Sequence, residues 1–597
     1  KGLQRGDLRK GVGACSKHYL GYGGGGDAEE QELMQEILMP HEAMIRLAGS
    51  KVVMPGYHTM IDRDTVKSNC AANSLILQDI LRDYLGFDGM VVSDYTAIDQ
   101  LPQSTKIEKA AAAINAGCDV DFPRGSNYES LQEALDKGLV KPEAFERAVK
   151  SVLRHKFRAG LFDKEPYLYS KENIVLDTPE ERQTAYDIAT QSIVLLENKD
   201  NVLPLAPRSS NTKILLTGPN ANSMWAMCGD YSFPAMTYFW KKLENDLDHP
   251  HVITLLEGMK DYLNENENEN KNDNVNLLYS RGCDWTEKIE TKFTVSGDER
   301  AWEYEILHRK VDSGEKADPQ EALQMAREAD VIVAAMGENV MLCGENRDRQ
   351  GLRLPGKQEQ YVEQLLATGK PVILVLFGGR AQVISGIAER CAAVIQAWYP
   401  GEEGGHAVAD ILFGKVSPSA KLSVSYPNTE VYEPLCYNYQ NSPLTNIQWP
   451  FGYGLSYTTF GYQNLQVKDN AKTTDDYVEL TFQVKNTGKV AGDEIVQIYL
   501  SPLSTQHSPR ISLQGFARVS LKPGQTKTVT TRLYIEQFGY YSHQGNVRQW
   551  NIEPGTYFVR VGASSTDIRL EQEVELMGKP YSKPLRDHYF SESIVSK

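Results

Sequence analysis

The first 160 residues repeat one pattern: a short apolar strand, an abrupt polar exit, then a helical stretch. Strand-like segments run from Gly11 to Tyr19, Ser50 to Met54, Gly89 to Ser93 and Gly117 to Phe122. Helical patterns such as Glu30 to Leu47 and Ser74 to Tyr84 lie between them. Parallel strands need a long crossover between them, and a helix is the usual one. The pattern therefore restricts this region to a parallel sheet or a barrel. A complete (β/α)8 barrel takes about 250 residues. Four units supply roughly half of the eight it requires.

The rest of the 597-residue chain changes character twice. A polar linker is expected over 161–185. A second α/β region is expected over 186–430, with strands at Lys213 to Thr217, Val331 to Met336, Val372 to Phe377 and Ala393 to Ala397. The Asn/Glu run Asn264 to Asn270 cannot bury a core and reads as a solvated insertion. After a linker over 431–460, residues 461–577 alternate apolar and polar positions between turn signals, as in Val478 to Val484 and Thr556 to Val561. That is a β-sandwich pattern. Residues 578–597 read as a tail.

A net charge of −16 disfavours nucleic acid or an anionic membrane as partner. No apolar stretch reaches the ~18 residues of a membrane span. The eight cysteines are scattered, with no CxxC pair and no histidine cluster, so neither zinc nor a dense disulfide scaffold is indicated.

Candidate chemistry sits at the strand exits. Met90 to Val92 ends in Ser93-Asp94-Tyr95, placing Asp94 where barrel enzymes keep catalytic groups. A helix-capping acid is the plainer alternative. Lys17-His18-Tyr19 should face the same rim, and its donors and acceptor suit hydroxyl groups. The glycines of Gly21 to Gly26 lack the spacing of a phosphate cradle and read as a flexible loop. Met54-Pro55-Gly56-Tyr57 is a third exit, where Tyr57 could stack on a ring or hydrogen-bond the nucleophile. Glu345 lies in a loop dense in Glu, Arg and Asp, which would also fit a surface salt-bridge patch. A nucleophilic aspartate and a glutamic acid/base would permit retaining glycoside hydrolysis if their carboxyls approach to about 5–5.5 Å.

The chain resembles glycoside hydrolase family 3 over nearly all its length. Lys17-His18-Tyr19 is similar to that family's KHF. Gly86 to Asp94 is similar to its GFxGxVVSD signature, and Ala116 to Asp119 to its AGxD strand. Ser192 to Asn198, Gly218 to Ala221, Trp398 to Gly405 and Pro450 to Tyr457 are further matches in the expected order. The resemblance implies a multidomain α/β protein: a partial (β/α)8 TIM barrel over 1–160, an α/β sandwich and a fibronectin type III-like domain. It implies a retaining exo-β-glycosidase, β-glucosidase first and β-xylosidase second, acting on a carbohydrate without metal or organic cofactor. Asp94 then matches the nucleophile and Glu345 the acid/base, with Glu338 as runner-up. Lys17, His18, Met54, Tyr57 and Tyr95 match sugar-contacting positions. A periplasmic or secreted location is the family expectation, and the oligomeric state is not indicated.

The chain also departs from the family. The barrel half upstream of Lys17 is absent, so a longer natural chain is expected. Tyr19 and Tyr95 replace the usual phenylalanine and tryptophan. Leu20 to Gly23 lacks the KHFPGHG-type motif of the N-acetylglucosaminidase branch. A non-catalytic carbohydrate-binding or structural protein of the same fold is the reading from another class.

Overall fold

The computed structural model describes residues 2–22, 30–62, 67–163, 175–205, 212–236, 251–267, 275–286, 316–340, 342–344, 349, 351–430, 435–438, 446–468, 471–502, 510–544 and 547–597. In the first region β1 (Cys15–Tyr19) lies beside β2 (Val52–Pro55), and β2 beside β3 (Met90–Val91), all parallel. A parallel bridge from Val92 to Val120 extends the order by one strand position. The register puts Lys17 level with Met54, and Val53 level with Val91. Residues just past these rungs, His18 and Asp94 among them, therefore emerge at one rim. No closed barrel is present among the described residues.

The helices form where their ends are satisfied. α2 (Lys106–Ala116) starts with a reciprocal cap between Thr105 and Glu108 and stops at Gly117, whose φ of 125° an L side chain rarely adopts. One face of the sheet packs Val53 and Val91 against Leu77, Ile80 and Leu81, all fully buried. α1 (Leu38–Arg46) is the outer layer on β1. Buried His41 on α1 is hydrogen-bonded to Ser16 Oγ through Nδ1 at 2.6 Å.

Burial, and secondarily His18, pushes the His41 imidazole down to about 4 from an ordinary value near 6.5. The unfolded chain then takes up a proton that the folded chain refuses. Stability from this group is complete above pH 6.5 and is lost as pH falls toward 4. The loss totals about 3 kcal/mol. His41→Gln is expected to show a shallower fall in denaturant midpoint than the parent between those pH values. Identical slopes would exclude His41 as the source.

α3 (Pro142–Arg158) and α4 (Pro179–Ser192) lead into the second region, so part of the segment read as a linker is helical. Its sheet contains β4 (Val194–Asn198), β5 (Lys213–Thr217), β6 (Asn276–Ser280), β7 (Val331–Gly337), β8 (Val372–Phe377) and β9 (Ala393–Trp398). Their order is β4-β9-β8-β7-β5-β6, parallel throughout except for β4, which runs antiparallel on the edge. β7 and β8 are buried along their whole length, as expected of strands covered on both faces. The Asn/Glu run begins inside the helix Leu255–Glu267, and 268–270 lie outside the described residues.

The third region is a sandwich. One sheet orders β10 (Phe460–Val467), β11 (Tyr477–Asn486), β14 (Thr526–Tyr534) and β17 (Glu592–Val595). The other places β12 (Gly492–Pro502) between β13 (Ser512–Leu521) and β15 (Gly555–Gly562), with β16 (Ile568–Met577) beyond β15. Alternation is clear in β11, where Val478, Leu480, Phe482 and Val484 face the core. Residues 578–597 are built into this unit, since β17 is the fourth strand of the first sheet and Tyr581–Lys583 pairs with Val547–Ile552.

The same terminal segment reaches the first region. Arg586 donates to Glu42 of α1 from Nε at 3.1 Å and Nη2 at 3.0 Å. Both side chains are buried, and the guanidinium lies 4.4 Å from the Trp550 ring centre. The apolar core is continuous between the first region and the sandwich. No disulfide joins any of the cysteines among the described residues. Among the described residues, no helix is long and apolar enough to cross a membrane, and no group of three or more His, Cys, Asp or Glu could hold a metal ion.

Candidate active site

Asp94 is aimed by the turn that ends β3. Ser93 N–H donates to Val120 O at 2.9 Å, and Ser93 Oγ accepts from Phe122 N–H at 2.9 Å. Thr96 then takes a left-handed φ of 60°, a costly conformation for a β-branched residue. Thr96 N–H is held by Phe122 O at 3.0 Å, and Ala97 N–H by Asp94 O at 3.1 Å. The bend turns the Asp94 side chain over the rim while leaving it only 6% exposed.

The two carboxylate oxygens of Asp94 have different surroundings. Oδ1 accepts from Tyr95 N–H at 2.7 Å and from Tyr57 Oη at 2.9 Å. The Tyr57 hydroxyl is also 2.9 Å from Tyr95 O, so its single proton is shared between two acceptors. Oδ2 is buried and has no hydrogen-bond partner in acceptable geometry among the described residues. His18 Nε2 lies 3.3 Å from it. Burial, with help from Lys17, lowers the His18 pKa, and Asp94 only partly opposes this. The ring is therefore neutral at neutral pH and carries one N–H. One oxygen is thus fixed and the other is available for bond formation, beside a neutral donor.

Lys17 is exposed at the rim. Met54 is 8% exposed and packs with Val52 and Val92 beneath it, forming a floor. Tyr95 is 57% exposed, with its ring edge-on to Phe122 at 6.0 Å. The structure thus brings Lys17, His18, Met54, Tyr57 and Tyr95 to the end of the sheet that carries Asp94.

Glu345 lies outside the described residues. The loop's flanks are described: Arg349 N–H donates to Leu342 O at 3.1 Å. Glu338, the runner-up acid, is completely buried and ion-paired. Its Oε1 accepts from Arg349 Nε at 3.2 Å and Nη2 at 2.9 Å. Arg380 Nε donates to Oε2 at 3.1 Å, and Arg380 Nη2 to Oε1. The carboxylate is enclosed by the two guanidiniums and braces the end of β7.

Asp119, from the AGxD-like stretch, also braces. Its Oδ2 accepts from Arg82 Nη2 at 2.7 Å and from Val91 N–H at 2.9 Å, which fastens β3. Tyr22, in the loop read as merely flexible, packs its ring 5.0 Å from His18 and 6.3 Å from Tyr57. An aromatic residue among glycines was the available signal. Tyr231, from the second region, was also missed; its ring centre lies 5.9 Å from Lys17 Nζ.

The chain is similar to known proteins. Residues 1–155 match the description "Glycosyl hydrolase family 3 N terminal domain", 193–457 match "Glycosyl hydrolase family 3 C-terminal domain", and 494–565 match "Fibronectin type III-like domain". A β-xylosidase of Formosa agariphila is 32% identical over 92% of this chain and 74% of its own. A periplasmic β-glucosidase of Salmonella typhimurium is 29% identical over 93% of this chain and 72% of its own. Among solved structures, a β-glucosidase from Erythrobacter marinus superposes with a TM-score of 0.78 at 30% identity, covering 94% of this chain and 73% of that one. A Listeria innocua β-glucosidase in complex with isofagomine gives 0.79 at 27%, covering 97% and 77%.

Proposed function

The chain belongs to glycoside hydrolase family 3, and from this we propose that it is a retaining exo-β-glycosidase with Asp94 as nucleophile and Glu345 as acid/base. The observation that carries the reading is the asymmetric Asp94 carboxylate, with Oδ1 held by Tyr57 and Tyr95 and Oδ2 without a hydrogen bond among the described residues. Residues 1–160 are read as the carboxyl-terminal half of a barrel, on the strength of the parallel β1-β2-β3 order.

In the first step Asp94 Oδ2 attacks the anomeric carbon. The C1–O bond to the leaving group breaks as Glu345 gives that oxygen its proton. Tyr57 and the Tyr95 N–H fix the carboxylate plane during attack, and neutral His18 offers its N–H to a sugar hydroxyl or to Oδ2. In the second step water attacks C1, Glu345 takes the water proton, and Asp94 leaves as carboxylate. Two inversions return the β configuration. Neither step requires a metal or an organic cofactor.

The sugar is a terminal β-linked glucose, or xylose as the second reading, which the Formosa agariphila β-xylosidase supports. A periplasmic or secreted location is proposed from the periplasmic relative. A panel of p-nitrophenyl β-glycosides on the full-length protein, with NMR of the first product anomer, tests the reading. The β anomer should appear first; an α anomer would exclude retention.

Glu345→Ala separates the acid/base role from a surface salt-bridge role. A dinitrophenyl glycoside, whose leaving group needs no proton, should form glycosyl-enzyme at close to the parent rate. An alkyl glycoside should lose about 10²–10⁴-fold. Equal losses on both substrates would remove Glu345 from the mechanism.

A further inference from the structure

We propose that Tyr231 of the α/β region positions the Lys17 ammonium at the mouth of the Asp94 site, so that the two regions complete the rim together. The inference rests on the glycosidase reading and adds a residue that the sequence motifs do not contain. Lys17 lies in the middle of β1 and is exposed to solvent. Among the described residues its ammonium makes no hydrogen bond or ion pair; its contact is the face of Tyr231 at 5.9 Å. A free lysine side chain samples many rotamers, and ordering it costs up to about 2 kcal/mol of entropy when substrate binds. An aromatic face that already holds the ammonium removes part of that cost before the sugar arrives.

The Tyr231 side is built for this task. Trp225, Ala226, Met227 and Cys228 are buried. Met227 O accepts from Gly401 N–H at 2.8 Å, which ties the segment to the turn after β9. A tight turn then closes from Ser232 N–H to Gly229 O at 3.0 Å, with Tyr231 inside it. The base is buried and hydrogen-bonded while the ring is 60% exposed. Tyr231 is a large exposed aromatic on a hydrogen-bonded turn, and its ring face meets the Lys17 ammonium.

A double-mutant cycle on the full-length protein, read as kcat/KM on an aryl β-glycoside, tests the assignment. Tyr231→Leu should lower kcat/KM roughly two- to five-fold, chiefly through KM. Tyr231→Phe should restore most of it, because the ring face and not the hydroxyl faces Nζ. In a Lys17→Met background Tyr231→Leu should have no further effect, and the melting temperature should not move in any variant. The same fold-loss in the Lys17→Met background, or a Phe variant as poor as Leu, would overturn the proposal. If Asp94→Ala abolishes turnover while the cycle is additive, only the Tyr231 assignment fails. If Asp94→Ala leaves turnover intact, the glycosidase reading itself fails.

Discussion

Asp94→Ala is expected to lower kcat by about 10⁴-fold or more, since the covalent route is lost while binding groups remain. The variant should keep its fold. The carboxylate occupies a rim, and its partners Tyr57 and Tyr95 N–H can turn to water or to Tyr95 O. Adding azide should restore part of the turnover, because a small anion fits the space the side chain vacates. The product should then be an α-glycosyl azide, formed by a single inversion. That stereochemistry distinguishes a lost nucleophile from a general loss of structure. Turnover near the parent level in Asp94→Ala would end the assignment. Azide rescue giving a β-configured azide would instead place Asp94 in the acid role.

Glu338→Ala is the second substitution with a large expected effect, and the effect is on stability. It removes the shared partner of Arg349, which is buried, and of Arg380, which is largely so. Breaking a buried ion pair from one side costs about 3–5 kcal/mol, because the remaining charge stays desolvated. Arg349 keeps its contact to Arg353 O, and Arg380 Nη1 keeps its bond to Arg349 O at 3.1 Å, so the cluster is weakened rather than dispersed. Tryptophan fluorescence should report an earlier denaturant transition, since Trp285 is linked to this point through Asn220. Glu338→Gln should recover part of the loss by keeping the acceptor. An unshifted transition in Glu338→Ala, with activity lost and azide able to restore it, would return Glu338 to the catalytic machinery.

The strand exits were legible because apolar runs stop abruptly at Lys17, Met54 and Ser93-Asp94, and parallel pairing brings such ends to one rim. The sandwich was legible from period-two alternation, as in β11. The contribution of Tyr231 was not. It depends on how a turn in one region meets a lysine in another, and no local period encodes that. The roles of Glu338 and Asp119 were hidden for a related reason. A carboxylate at a strand end can act or brace, and only its neighbours decide; here arginines surround both. The terminal segment read as a tail has the short, mostly polar strands Tyr581–Lys583 and Glu592–Val595, which acquire a partner only once the sandwich exists.

That terminal segment also sets a clock. Arg586 follows its partner Glu42 by 544 residues. At ribosomal rates of about 5–20 residues per second, Glu42 emerges roughly half a minute to two minutes before the guanidinium that neutralises it. Until then Arg46 of the same helix, 3.7 Å away, is available to balance the charge. The Arg586–Glu42 pair can therefore form only after translation has passed residue 586, long after α1 itself has been made.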